Sequence, residues 1–221
     1  MTAAARAGFG SPLAADANEG LAALITGGGT GIGLATAREF VRTGARVAIA
    51  GRRADVLEAA AAELRRAGGE CVAVPTDVRD PDRAEALVSA ALAAFGRIDV
   101  LVNNAGGQFE APAEDISLKG WRAVHRLAVD AGWSLTRSVA VRSMIPSGGG
   151  LVIFIGFSPR RGVPGVVHAS AARAALENLA SGLAIEWSRY GVRAVCVAAG
   201  NIDTEGLASY GPAALDCQNA A

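Results

Sequence analysis

This chain has almost no lysine: Lys119 is the single one, and arginine carries nearly all of its positive charge. Neither sign of charge dominates. The formal net charge is zero, which excludes the broad basic face that nucleic acid or an anionic membrane requires. Cysteine is scarce as well. Cys71, Cys196 and Cys217 are odd in number and lack metal-ligand spacing, which argues against a disulfide framework or a zinc site and for a reducing compartment. Residues 1–20 have no basic start followed by the ~7–15-residue apolar run of an export signal, and no segment reaches ~18 uninterrupted apolar residues. The expectation is a soluble, cytoplasmic protein with no metal, no nucleic-acid partner and no membrane partner.

Glycine, alanine and apolar runs are abundant. With 221 residues and 51% hydrophobic content, the chain can bury one sizeable core. Short β-rich runs beginning near Leu21, Arg46, Cys71, Ile98, Leu151 and Val192 alternate with helical patterns near Gly31–Thr43, Ala54–Ala67, Pro81–Phe95, Leu118–Met144 and Ala169–Tyr190. That alternation predicts an α/β fold: a single Rossmann-type, doubly wound parallel sheet of six strands with helices on both faces. Residues 1–20 read as a flexible N-terminal arm or an edge wrap, 21–210 as the folded domain and 211–221 as an irregular tail.

The most informative stretch is Thr26-Gly27-Gly28-Gly29-Thr30-Gly31-Ile32-Gly33, between an apolar run and a helical pattern. Glycines at this spacing let the backbone turn tightly and approach a pyrophosphate, while the helix N-terminus offers free N–H groups to phosphate oxygens. Gly27, Gly29, Thr30, Gly31, Ile32 and Gly33 are therefore candidate dinucleotide contacts. Arg52 and Arg53 follow the second strand, at the ~20-residue offset where an acid would otherwise hold a ribose 2′-hydroxyl. Guanidinium groups there suit a 2′-phosphate, hence NADP(H) over NAD(H), the alternative being a solvated basic turn. Asp77 and Val78 fit an adenine contact, or Asp77 only shapes its loop. Asn103, Ala105 and Gly106 lie where backbone passes close to a ligand, with the asparagine side chains bracing neighbouring strands.

TGGGTGIG, the GRR at 51–53, DV at 77–78 and NNAG at 103–106 together resemble the short-chain dehydrogenase/reductase family. Asn103 to Phe109, Pro112 to Ser117, Gly120-Trp121, His168 with Ala171-Ala172-Arg173, and Glu186-Trp187 are most similar to its trans-2-enoyl-CoA and 2,4-dienoyl-CoA reductase branch. The resemblance implies an NADPH-dependent oxidoreductase of fatty acid metabolism that reduces the C=C bond of an enoyl-CoA-type thioester. It also implies a homo-oligomer, weakened by a missing seventh strand. Gly200, Ile202 and Thr204 correspond to the segment holding the nicotinamide amide; Arg173 corresponds to the family lysine and suits a cofactor clamp near a developing oxyanion. Arg79, Gln108 and Phe109 correspond to substrate contacts, although a solvated loop is an equal reading for Arg79.

The positions where most relatives carry Asn, Ser and Tyr hold Ala128, Gly156 and Ala169. In the dienoyl branch the acid is displaced, to a position that holds Ser158 here, and the amide to Asp130. Ser158, Asp130 and Arg173 are thus the catalytic candidates, with a loop serine and a solvated acid as alternatives for the first two. A second reading is an inactive NADP-binding homologue, a scaffold or regulator. His168 and His125 read as structural, since neither has an adjacent acid to orient it.

Overall fold

The computed structural model describes residues 11–157, 162–200, 202 and 204. Six strands, β1 (Ala22–Thr26), β2 (Arg46–Gly51), β3 (Cys71–Pro75), β4 (Val100–Asn103), β5 (Gly150–Gly156) and β6 (Val192–Ala198), pair in the order β3-β2-β1-β4-β5-β6. Every pairing is parallel. The order reverses between β1 and β4, which opens a crevice beyond their carboxyl ends.

Both faces of the central strands are buried, which explains why they read as unbroken apolar runs. On one face Leu24, Ala48, Leu101 and Val152 pack with Leu87 of α3 (Pro81–Phe95), Leu135 of α5 (Ala131–Val139) and Leu176 of α6 (Val167–Trp187). On the other, Ile25, Ile49 and Val102 meet Ala37 and Val41 of α1 (Gly31–Arg42) and Leu57 and Leu64 of α2 (Ala54–Arg66). At the edge strand β6, Val195 and Val197 remain exposed. No helix among the described residues is long and apolar enough to cross a membrane.

Three boundaries differ from the sequence expectation for local reasons. The fourth strand begins at Val100, not Ile98, because the Ser143 hydroxyl occupies both the N–H and the carbonyl of Ile98, at 2.8 and 3.1 Å. The final helix starts at Val167, because Val166 accepts from the N–H groups of Ala169 and Ser170, both at 3.0 Å; it ends at Trp187 in a 3₁₀ turn, Ser188–Tyr190. The helix expected over Leu118–Met144 keeps its ends. It consists of α4 (Leu118–His125) and α5, each followed by a π turn, Arg126–Asp130 and Ala140–Met144. The first π turn contains Ala128, and such widenings mark functional positions in helices.

Of the expected N-terminal arm, residues 11–20 lie against α1. Asn18 donates to the Thr43 hydroxyl at 2.7 Å, and Arg42 donates to the Leu13 carbonyl at 3.0 Å.

Candidate cofactor and active site

The turn after β1 is locked to the end of β4. The Thr26 hydroxyl accepts from the N–H groups of Asn104 and Ala105 at 3.0 and 2.9 Å, and the Asn104 side-chain amide donates to the Thr26 carbonyl at 2.8 Å. Gly27 takes a left-handed φ of +66°, and a Cβ there would lie 2.7 Å from Asn104 Nδ2. Gly33 allows no side chain either: a Cβ would meet the Gly27 carbonyl oxygen and the Asn104 amide. The glycines thus bring the α1 N-terminus against the sheet. Thr30, the residue preceding α1, makes no side-chain cap and the first turn carries no acid, whereas Asp80 caps α3 through Asp82 and Arg83. An uncapped helix start presents N–H groups and positive potential to an anion.

A cleft of about 310 Å³ opens over this turn. Gly27, Gly29, Thr30, Gly31, Ile32, Arg52, Arg53, Asp77, Val78, Ala105, Gly106 and Thr204 line it, gathering motifs from four strand ends and the segment after β6. Gly33 lies beneath the turn. Asn103, expected in the cofactor set, is turned away: its amide donates to the Thr136 hydroxyl at 2.9 Å inside the core, and Asn104 lines the cleft instead. Leu127, from the π turn, also lines the cleft and was missed. Gly200 has an open, left-handed backbone (φ +63°), and Ile202 is exposed.

The charges at the cleft are sorted. Asp77 accepts from Arg79 at 2.9, 3.2 and 2.5 Å, and that guanidinium holds its carboxyl down at about 2. Arg79, expected as a substrate contact, therefore closes its own loop; its carbonyl accepts from Arg126 at 3.2 Å. Arg52 and Arg53 have no hydrogen-bonded carboxylate among the described residues, and both line the cleft where β2 ends.

At the far end of the cleft, Arg173 donates to the Ile155 carbonyl at 2.6 Å, and its guanidinium lies where a Cβ on Gly106 would stand. The neighbouring positions carry no acid. Ala169 is buried, and Ala128 is buried beside a small cavity that Asn103, Leu135 and Leu176 also line. A Cβ on Gly156 would stand 2.7 Å from Cys196 Sγ, so the thiol fills the space of a larger residue. Burial pushes that thiol up, Glu177 adds to the shift and Arg173 opposes it. Asp130 is exposed at the end of the π turn, apart from Ala128, and Ser158 lies outside the described residues.

Phe109 is 38% exposed and its ring packs at a 39° tilt against His168, with ring centroids 4.3 Å apart. Gln108, beside it, is half-buried. His168 is fully buried, and burial together with His125 lowers its pKa below the usual histidine value. Among the described residues, no group of three His, Cys, Asp or Glu side chains is arranged to hold a metal.

Comparison with known proteins agrees with this layout. Residues 21–214 match the short chain dehydrogenase family. The chain is 34% identical over 187 residues to a Bacillus subtilis protein named "Probable 2,4-dienoyl-CoA reductase", covering 84% of this chain and 74% of that one. It is 36% identical over 218 residues to the peroxisomal 2,4-dienoyl-CoA reductase of Arabidopsis thaliana, covering 93% and 72%. Among solved structures, a candidate NAD(P)-dependent gluconate 5-dehydrogenase from Beutenbergia cavernae, with NADP bound at low occupancy, is 38% identical. It superposes with a TM-score of 0.81 over 86% of this chain and 76% of that one.

Proposed function

The chain belongs to the short-chain dehydrogenase family of NAD(P)-dependent oxidoreductases, and on that premise we propose that it is an NADPH-dependent reductase of the C=C bond in enoyl-CoA-type thioesters. The observation that carries the cofactor choice is the pair Arg52 and Arg53 at the cleft wall where β2 ends. Two guanidiniums offer bidentate donors to a 2′-phosphate, and Asp77, although it feels the Arg52 charge, directs its hydrogen bonds to Arg79 and not to either of them. The uncapped α1 start and the glycine turn suit the pyrophosphate. Arg173, whose guanidinium lies against Gly106, would hold ribose hydroxyls.

The choice of bond rests on what the active end lacks. Reducing a ketone produces a basic alkoxide and calls for a poised acid, worth roughly 10²–10⁴ in rate. Gly156, Ala169 and Ala128 supply none. Bound reduced nicotinamide supplies a hydride, and its addition to an α,β-unsaturated thioester leaves an enolate spread onto the carbonyl oxygen. That oxygen needs hydrogen-bond donors and positive potential, and Arg173 brings a permanent cation to this end of the cleft. Kinship with two proteins named as 2,4-dienoyl-CoA reductases supports the same substrate class.

A second reading, a silent NADP-binding homologue, draws on Cys196 filling the space beside Gly156. Purified protein mixed with NADPH and a panel of enoyl-CoA and dienoyl-CoA thioesters separates the two. The reductase consumes nicotinamide absorbance with at least one thioester and spares simple ketones. Binding of NADPH without turnover across the panel favours the silent homologue.

A further inference from the structure

His168 on α6 is a buried polar group with no role in the proposed cofactor contacts; among the described residues Ser170 Oγ and Glu177 Oε1 of the same helix are also buried without a partner. His168 is 0% exposed, and neither ring nitrogen has a hydrogen-bond partner among the described residues. A buried donor without a partner is costly, and native proteins rarely keep one unless a water or ligand completes it. A packing position would be filled better by Phe or Leu.

The surroundings indicate what completes it. The loop between β4 and α4 touches α6 at two places, Gly106 on Arg173 and Phe109 on His168, with buried Ala169 next to His168 on the same helix. Successive residues of a helix point to different sides, so it is this loop, touching both Arg173 and His168, that joins the imidazole to the end of the site that lacks an acid. The cover of the imidazole is the Phe109 ring, partly exposed and borne on a loop whose residues 104–112 have no regular structure. That ring reaches α4 only because Gly120 has no side chain; a Cβ there would stand 2.7 Å from Phe109 Cζ. The base of the loop is fixed, since Ala111 N–H donates to the Gly165 carbonyl at 2.9 Å. Rotation of Phe109 thus uncovers His168 without dismantling the loop. His125, the other ring nearby, stacks on Trp121 at 4.4 Å, and its Nδ1 is engaged with the Trp121 carbonyl.

We propose that His168 donates a hydrogen bond to the thioester carbonyl oxygen of the acyl substrate, uncovered when the acyl chain displaces Phe109. This rests on the thioester reading. Burial lowers the imidazole pKa, so near neutral pH the ring is uncharged and carries one N–H. That N–H stabilises the enolate oxygen as charge develops there, and it returns to its covered state when product leaves. The enolate carbon takes the proton that completes the reduction from water, so none needs to leave the ring.

The chain has two histidines, so one variant assigns both imidazole spectra. The full-length protein, saturated with NADP⁺, is labelled with ¹⁵N at histidine and titrated with hexanoyl-CoA, an unreactive saturated thioester, and separately with CoA lacking the acyl group. The His168 ring signals move with hexanoyl-CoA and not with CoA; signals unmoved by hexanoyl-CoA overturn the proposal. His168→Phe keeps an aromatic ring and removes the donor. With hexenoyl-CoA and NADPH its kcat falls about 10²-fold, the scale for losing one oxyanion donor, while NADPH affinity is unchanged. Full turnover by this variant also overturns the proposal. If that variant does not fold, Phe109→Ala leaves His168 in place, and its ring N–H exchanges faster with solvent; unchanged exchange contradicts the cover. A native protein that reduces no thioester refutes the C=C reading, and the titration still decides whether His168 meets the carbonyl.

Discussion

Asn104 Nδ2 stands 2.8 Å from the carbonyl oxygen of Thr26 and fills the space a side chain on Gly33 would need. One amide therefore holds the end of β1, the start of α1 and the loop after β4 in a single arrangement. Asn104→Ala removes that brace. Losing a buried hydrogen bond of this kind costs about 0.5–1.5 kcal/mol, and the variant unfolds at lower urea while binding NADPH more weakly. Gly33→Ala forces a methyl into the Gly27 carbonyl. Its destabilisation is larger, roughly 1–3 kcal/mol or more, as read in the same urea titration.

Arg52 sets cofactor choice together with Arg53. A charge-assisted hydrogen bond is worth about 1.5–3 kcal/mol, so Arg52→Ala weakens NADPH binding by roughly 10- to 100-fold by the usual 1.4 kcal/mol per decade. NADH, which has no 2′-phosphate, binds the variant and the native protein alike. Equal weakening of both cofactors would show that the arginine acts on the fold instead.

Asp77 and Arg79 give the cleft a signature at acid pH. The Asp77 carboxyl is held at about 2, below its ordinary 3.8, chiefly by the Arg79 guanidinium. A carboxyl depressed by folding contributes stability above its unfolded value and loses it as pH falls through its folded value. Between about 3.8 and about 2 the native protein therefore loses stability that Asp77→Asn lacks already. Denaturation curves of the two proteins converge across that window.

His168 behaves in the same sense in a higher pH window. Its folded pKa lies below 6.5, so the unfolded chain binds the proton first as pH drops. Stability is complete above pH 6.5 and declines below it, until the folded ring also titrates. His168→Phe flattens this part of the curve, and melting temperatures measured from pH 8 to 5 read the difference.

Gly156 and Cys196 are coupled. Restoring a serine by Gly156→Ser places Cβ 2.7 Å from Cys196 Sγ and destabilises the protein by roughly 1–3 kcal/mol through overpacking. Pairing it with Cys196→Ala relieves the clash. The double variant is more stable than Gly156→Ser alone, a non-additivity that a double-mutant cycle measures directly.

The strands were legible because a sheet buried on both faces leaves short apolar runs, and here these alternate with longer helical patterns across turn residues. The cleft was legible because glycine spacing and the strand-end rule converge on one rim; Gly27, Arg52, Asp77 and Ala105 lie far apart in sequence yet line it together. Three features were not. Asn103 and Asn104 are chemically identical, and only the register of β4 decides which one faces the cleft. Arg79 reads as a free cation until its loop folds it onto Asp77. His168 lacks an acidic neighbour in sequence, but its buried, unpartnered ring depends on Phe109 and α4, which come from elsewhere in the chain.

The central claim is that the glycine turn and the paired guanidiniums form an NADP(H) site. Calorimetric titration of the folded protein with NADPH and, separately, with NADH tests it most directly. The account predicts saturable heat with NADPH at one site per chain and at least tenfold weaker binding of NADH. No heat with either nucleotide, or tighter binding of NADH, would contradict it.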